Sequence, residues 1–163
     1  MRGAFLLAAA SIILTACTTT PKVTAPAQPE AKSFLVSDNA QADVDAALER
    51  AQGADKHVLL VMGANWCHDS RALAGWLETP RFRELIDAEY ELVFVNVGLP
   101  QTGDGHNLGI AQRFGLEKPE GTPNVLVLTA DGTLVNAETA TTWRNAASRS
   151  EDEIYDELAA LAQ

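Results

Sequence analysis

Two short apolar runs, HVLLVM at 57–62 and LVFVNV at 92–97, constrain this chain of 163 residues more than anything else in it. Neither alternates apolar with polar residues, so each suits a strand covered on both faces. Between them, residues 69–77 are good helix formers, with Leu73, Trp76 and Leu77 in one apolar stripe. Thr79-Pro80 interrupts, because the residue before a proline is driven out of the helical region while the proline itself can open a new turn, predicting a second helical piece over 81–88. Strand, helix, strand in that order requires a crossover, and hence parallel pairing.

The flanking segments fill in the layers. Asp38, with Gln41 three positions on, predicts a helix cap ahead of Val44, Ala47, Leu48 and Ala51, and Gly53 is expected to close that helix. Residues 98–105 carry the turn chemistry of a loop. Asn107 is expected to cap a short helix through Phe114, ended by a left-handed Gly115. Farther on, Asp131-Gly132 between residues 125–128 and 133–135 predicts a β-hairpin. Ser150 with Glu153 has the form of a capping box for a last helix buried through Ile154, Leu158 and Leu161. The fold class that follows is α/β, three layers with a mixed central sheet and helices on both faces.

The first 32 residues read differently. Arg2, an apolar stretch over 4–14 and small residues before a break have the shape of a secretory signal over 1–16, too short to span a bilayer. Residues 18–32, rich in Thr, Pro and Ala, read as an extended tether, placing the domain at 33–163. Leu14-Thr15-Ala16-Cys17 resembles the lipobox of bacterial lipoproteins, whose Cys becomes the acylated first residue; the alternative is an ordinary signal that leaves Cys17 a free thiol. With Thr18 where that family places Asp for inner-membrane retention, the resemblance implies an outer-membrane anchor facing the periplasm. A formal charge of -10 disfavours nucleic acid, and membrane contact beyond the anchor, as partners. The chain has two Cys, so a lipidated Cys17 leaves Cys67 without a disulphide partner.

Cys67 follows Trp66 where the first apolar run gives way to a helix, and Ser70 stands where a dithiol motif would carry its second sulfur. Trp66-Cys67-x-x at that junction, with Gly121-Thr122-Pro123 before a later strand, resembles the thioredoxin superfamily over 33–163. The resemblance implies that Pro123 is cis and lies against the sulfur, and that Thr122 offers its backbone to bound peptide. Thioredoxin proper carries a buried Asp six residues before the reactive Cys and a Lys on the next strand; Val61 and Phe94 stand there in this chain. No cofactor is implied.

Physical chemistry gives independent reasons for a reactive thiol. The free N–H groups at a helix N-terminus favour an anion, so the thiolate of Cys67, the nucleophilic form, is stabilised there. A protonated His68 would add to this and Asp69 would oppose it. Ser70 is expected to donate a hydrogen bond to the sulfur, but its hydroxyl cannot form a disulphide, which leaves a monothiol route: capture of a partner sulfur, with release supplied from outside. Consecutive Cys67, His68 and Asp69 point about 100° apart on a helix and do not converge on a metal. The expected function is exchange on exported proteins that carry thiols or disulphides, with a redox-inactive peptide-binding module as the alternative; the oligomeric state is left open.

Overall fold

The computed structural model describes residues 28–163; the signal, Cys17 and most of the expected tether lie outside them. The described residues form five α-helices, α1 (Ala40–Ala54), α2 (His68–Leu77), α3 (Pro80–Glu89), α4 (Leu108–Arg113) and α5 (Glu151–Leu161), with a seven-residue 3₁₀ segment at Thr142–Ser148. Three strands, β1 (His57–Gly63), β2 (Tyr90–Asn96) and β5 (Asn124–Leu128), form the central sheet; β3 (Gly98–Leu99) and β4 (Asp104–Gly105) make a separate small ribbon. None of the described helices is long and apolar enough to cross a membrane.

The central sheet runs β2-β1-β5, parallel between β1 and β2 and antiparallel between β1 and β5. As the unbroken apolar run of β1 requires, its residues divide between two cores. Val58, Leu60 and Met62 pack with Val44 and Ala47 of α1 and Ile110 of α4, whereas Leu59 and Val61 pack with Leu73 of α2, Phe82 of α3 and Ile154 of α5. This is the expected three-layer arrangement. Val61 lies opposite Phe94, so the two positions that depart from the thioredoxin pattern are neighbours in the sheet.

Several local expectations are corrected. Asn39, not Asp38, caps α1, its Oδ1 accepting from the Ala42 N–H at 3.1 Å. The helix passes Gly53 and ends at a left-handed Asp55, a conformation Asp tolerates because its short side chain can bond locally. Asn107 precedes α4 in a left-handed conformation, its amide donating to the Asn96 carbonyl across the sheet edge instead of capping. Gly115 is left-handed as expected, at φ 88°.

The hairpin is only partly formed. The chain turns at Gly132 and touches back through a single bridge, Leu128 to Leu134, and a Val135 N–H to Val127 carbonyl bond, without making a second strand. Buried Asn136 supplies the reason: its amide accepts from the Val127 N–H and donates to the Val125 carbonyl, so one side chain satisfies two backbone groups on that edge of β5. The antiparallel component of the sheet therefore comes from β5 against β1.

Candidate functional site

The end of β1 and the start of α2 deliver the cysteine. Cys67 is the N-cap residue of α2, in extended conformation, and its side chain makes no capping bond. Its N–H donates to the Ala64 carbonyl at 3.1 Å, closing the turn over residues 64–67, and its carbonyl accepts from the Arg71 N–H. The sulfur is thus partly exposed at a helix N-terminus, where exposed N–H groups and the macrodipole favour negative charge.

The turn at 121–123 supplies the facing edge. Sγ of Cys67 donates to the Thr122 carbonyl at 3.3 Å, and the Thr122–Pro123 peptide is cis. Gly121 enters this turn at φ 67°, in the region that favours glycine. Cys67, Thr122 and Pro123 are thereby brought together, although 55 residues separate Cys67 from Thr122 in the chain.

Ser70 occupies a different place from the one expected. It is fully buried, and its Oγ accepts from the Ala64 N–H at 3.4 Å; the hydrogen bond of the sulfur goes to Thr122 instead. On the first turn of a helix the position three residues after the cap looks inward, so the hydroxyl meets the backbone that leaves β1. His68 points elsewhere too, its Nε2 lying 3.0 Å from Oε1 of Glu30. Asp69, whose direction the sequence leaves open, accepts from the Ala147 N–H at 2.9 Å and so joins α2 to the 3₁₀ segment.

Trp66 is 46% exposed, and its indole N–H donates to the Gly98 carbonyl at 2.7 Å. That bond sets the ring against the connection over residues 98–119, for which the sequence offers no role. Together they wall a cavity of about 560 Å³ lined by Trp66, Pro100, Leu108, Pro119, Thr122 and Arg144, among others. The cavity shares Thr122 with the thiol.

Sequence reasoning missed two residues that hold the turn. Arg71 donates through Nη1 to the carbonyls of Asn65 and Trp66, both at 3.1 Å, and Asn65 exchanges hydrogen bonds with the backbone of Phe34. An Asn in a strand-to-helix loop is an ordinary turn residue, and an Arg in the first turns of a helix is an ordinary surface one, so neither gives a local signal. Among the described residues no group of three His, Cys, Asp or Glu side chains gathers as a metal site would require.

A partly buried thiol at a helix N-cap, bonded to the carbonyl that precedes a cis-proline, on a mixed sheet with helices on both faces, defines a thioredoxin-type domain. The family model described as thioredoxin-like matches residues 39–130, and the chain belongs to that family. The chain is also similar to a solved structure described as a disulphide isomerase from Xylella fastidiosa Temecula1, at 32% identity and a TM-score of 0.70, over 82% of this chain and 100% of that one. No curated protein matches.

Proposed function

We propose that this protein carries out thiol–disulphide exchange at Cys67 on exported polypeptides, from a lipid anchor at Cys17 in the outer membrane, facing the periplasm. The observation that carries the reading is the partly exposed sulfur at the N-cap of α2, 3.3 Å from the Thr122 carbonyl. Membership of the thioredoxin-like family and likeness to a disulphide isomerase support exchange chemistry in general.

The route is monothiol. The Cys67 thiolate attacks one sulfur of a substrate disulphide; a new S–S bond forms, the old one breaks, and the other substrate sulfur leaves as a thiolate. A third substrate thiolate then attacks the substrate sulfur of the mixed disulphide, forming a new substrate disulphide and releasing the Cys67 thiolate, whereas re-attack by the first leaving thiolate would only restore the original pairing. No net electrons are transferred, so the cycle is an isomerisation and needs no outside reductant. The substrate backbone lies along the Thr122–Pro123 edge, with the adjoining cavity of about 560 Å³ receiving a neighbouring side chain.

The test is the recovery of activity by a disulphide-scrambled protein in the presence of the purified chain. Wild type is expected to speed recovery well above the uncatalysed rate, while Cys67→Ser is expected to return it to that rate and Cys17→Ser to leave it unchanged. Equal recovery with wild type and Cys67→Ser overturns the reading. It would favour a redox-inactive module that binds a peptide in the same groove, a second reading supported by the apolar pair Val61 and Phe94 where thioredoxin has an acid and a Lys.

A further inference from the structure

Residues 29–31, which composition assigns to the tether, lie along α2. The Ala31 N–H donates to the Arg71 carbonyl at 3.0 Å. Gly75 admits the segment: a Cβ there would lie 2.3 Å from the Pro29 carbonyl oxygen, so backbone packs against helix only because this residue has no side chain. Beyond it Phe34 is buried, its ring edge-on to Phe94 at 5.2 Å.

The polar contacts of this segment converge on the turn that presents the thiol. The Glu30 carboxylate takes Arg71 Nε on one oxygen and His68 Nε2 on the other, both at 3.0 Å. Arg71 in turn holds the Asn65 and Trp66 carbonyls. From the other side, the Phe34 N–H donates to Asn65 Oδ1 at 3.2 Å, and the Phe34 carbonyl accepts from the amides of Asn65 at 3.0 Å and Asn96 at 2.9 Å. The Arg71 hydrogen bond foremost, then the nearby Arg71 and His68 charges, hold the Glu30 carboxyl below the usual carboxylate range. Two elements distant in sequence, the segment over 29–34 and the helix start, therefore grip one four-residue turn, and β2 holds that segment in place through Asn96.

We infer that residues 29–34 form a strap that positions the Asn65–Cys67 turn, with Glu30 and Arg71 as positioning residues, so that seating of the strap on α2 sets the geometry of the thiol. Its consequence for exchange rests on the proposed chemistry at Cys67; the structural part does not. The turn carries the sulfur past the end of β1, and a ladder cannot hold it there. Donors from Arg71 and Asn65 take over that task, and Glu30 fixes the direction of the guanidinium.

The test compares the full chain with its Glu30→Ala and Glu30→Gln variants by two measurements, site-resolved amide hydrogen exchange and the rate at which Cys67 reacts with a disulphide-bonded peptide. Glu30→Ala is expected to speed exchange of the hydrogen-bonded amides of Cys67 and Arg71 by about fivefold, the scale of one exposed ion pair, and to leave β1 amides unchanged. Reaction at Cys67 is expected to slow by a similar factor, and Glu30→Gln, which keeps an acceptor for Arg71, to recover most of both. Unchanged turn amides in Glu30→Ala overturn the strap. So does equal quickening in β1, which would make Glu30 a general stabiliser, or an unchanged reaction rate beside quickened turn amides. A wild type that reacts with no disulphide removes the proposed function, while the hydrogen-exchange arm still decides whether the strap holds the turn.

Discussion

Cys67 caps α2 with its backbone and leaves its sulfur free, and that division is what makes it available for chemistry. A Ser, Thr or Asp at the same position would turn its side chain inward to the orphan N–H groups, whereas a thiol is a poor acceptor and stays toward the Thr122 carbonyl. Ser70 shows the opposite choice. Its hydroxyl is sealed from solvent and serves the Ala64 N–H, so it braces the turn from beneath. The consequence for engineering is direct: Ser70→Cys places a second thiol on the first turn of the same helix. Its thiolate is expected to attack Cys67 in any mixed disulphide, releasing the substrate thiolate and forming an internal disulphide. Adducts trapped on non-reducing gels should fall at least severalfold relative to wild type; equal adduct levels would mean that the buried position cannot reach the sulfur.

Among the elements, α5 is the one most legible in the sequence. Ser150 Oγ accepts from the Glu153 N–H, and the Glu153 carboxylate accepts from the Ser150 N–H at 2.7 Å, the full reciprocal box that the S-x-x-E spacing announces. Ser150→Ala is expected to cost about 0.5–2 kcal/mol, read from urea unfolding. The box is also a pH element. Hydrogen bonds from Ser150, its backbone first, lower the Glu153 pKa, so its contribution is present above the pKa of about 4.3 of an unfolded Glu and is lost as pH falls through the folded value. The stability difference between wild type and Glu153→Ala should therefore shrink in acid; a constant difference from neutral pH to pH about 3 would remove the carboxylate from the account. The predicted hairpin fared less well, because its failure is not local. Asp131-Gly132 does turn the chain, but the strand beyond is displaced by the Asn136 amide, a partner that no periodicity marks.

Over the whole molecule, the layers are tied by a few buried polar bonds laid across the apolar cores. Tyr90, at the head of β2, donates its hydroxyl to the Leu158 carbonyl in α5 at 2.6 Å, joining positions 68 residues apart. Tyr90→Phe leaves that buried carbonyl without the donor and is expected to cost about 1–3 kcal/mol. Burial raises the Tyr90 pKa well above its ordinary value, so the stabilisation is fully present below the unfolded value of about 10 and is lost as pH rises toward the folded one. Wild type should lose its advantage over Tyr90→Phe in strongly alkaline solution, as followed by thermal melts. An advantage that persists there would place the contribution of Tyr90 in its ring packing, not its hydroxyl.

The layer order was readable from the chain because it rests on local rules. Runs without alternation demand cover on both faces, a strand-helix-strand unit demands a parallel pair, and proline, glycine and capping residues punctuate the segments between. The cysteine and its helix N-terminus were readable for the same reason, sitting at a junction that local chemistry marks, whereas the Thr122-Pro123 edge was implied by the resemblance to the thioredoxin superfamily. Tertiary structure alone decided what surrounds the sulfur. It turned Ser70 away, sent His68 to Glu30, drew Trp66 onto Gly98 and laid residues 29–31 along α2. Those partners meet only once the sheet has fixed the distances between segments that the chain keeps tens of residues apart, and a hydrogen bond is sensitive to angstroms that no spacing rule carries.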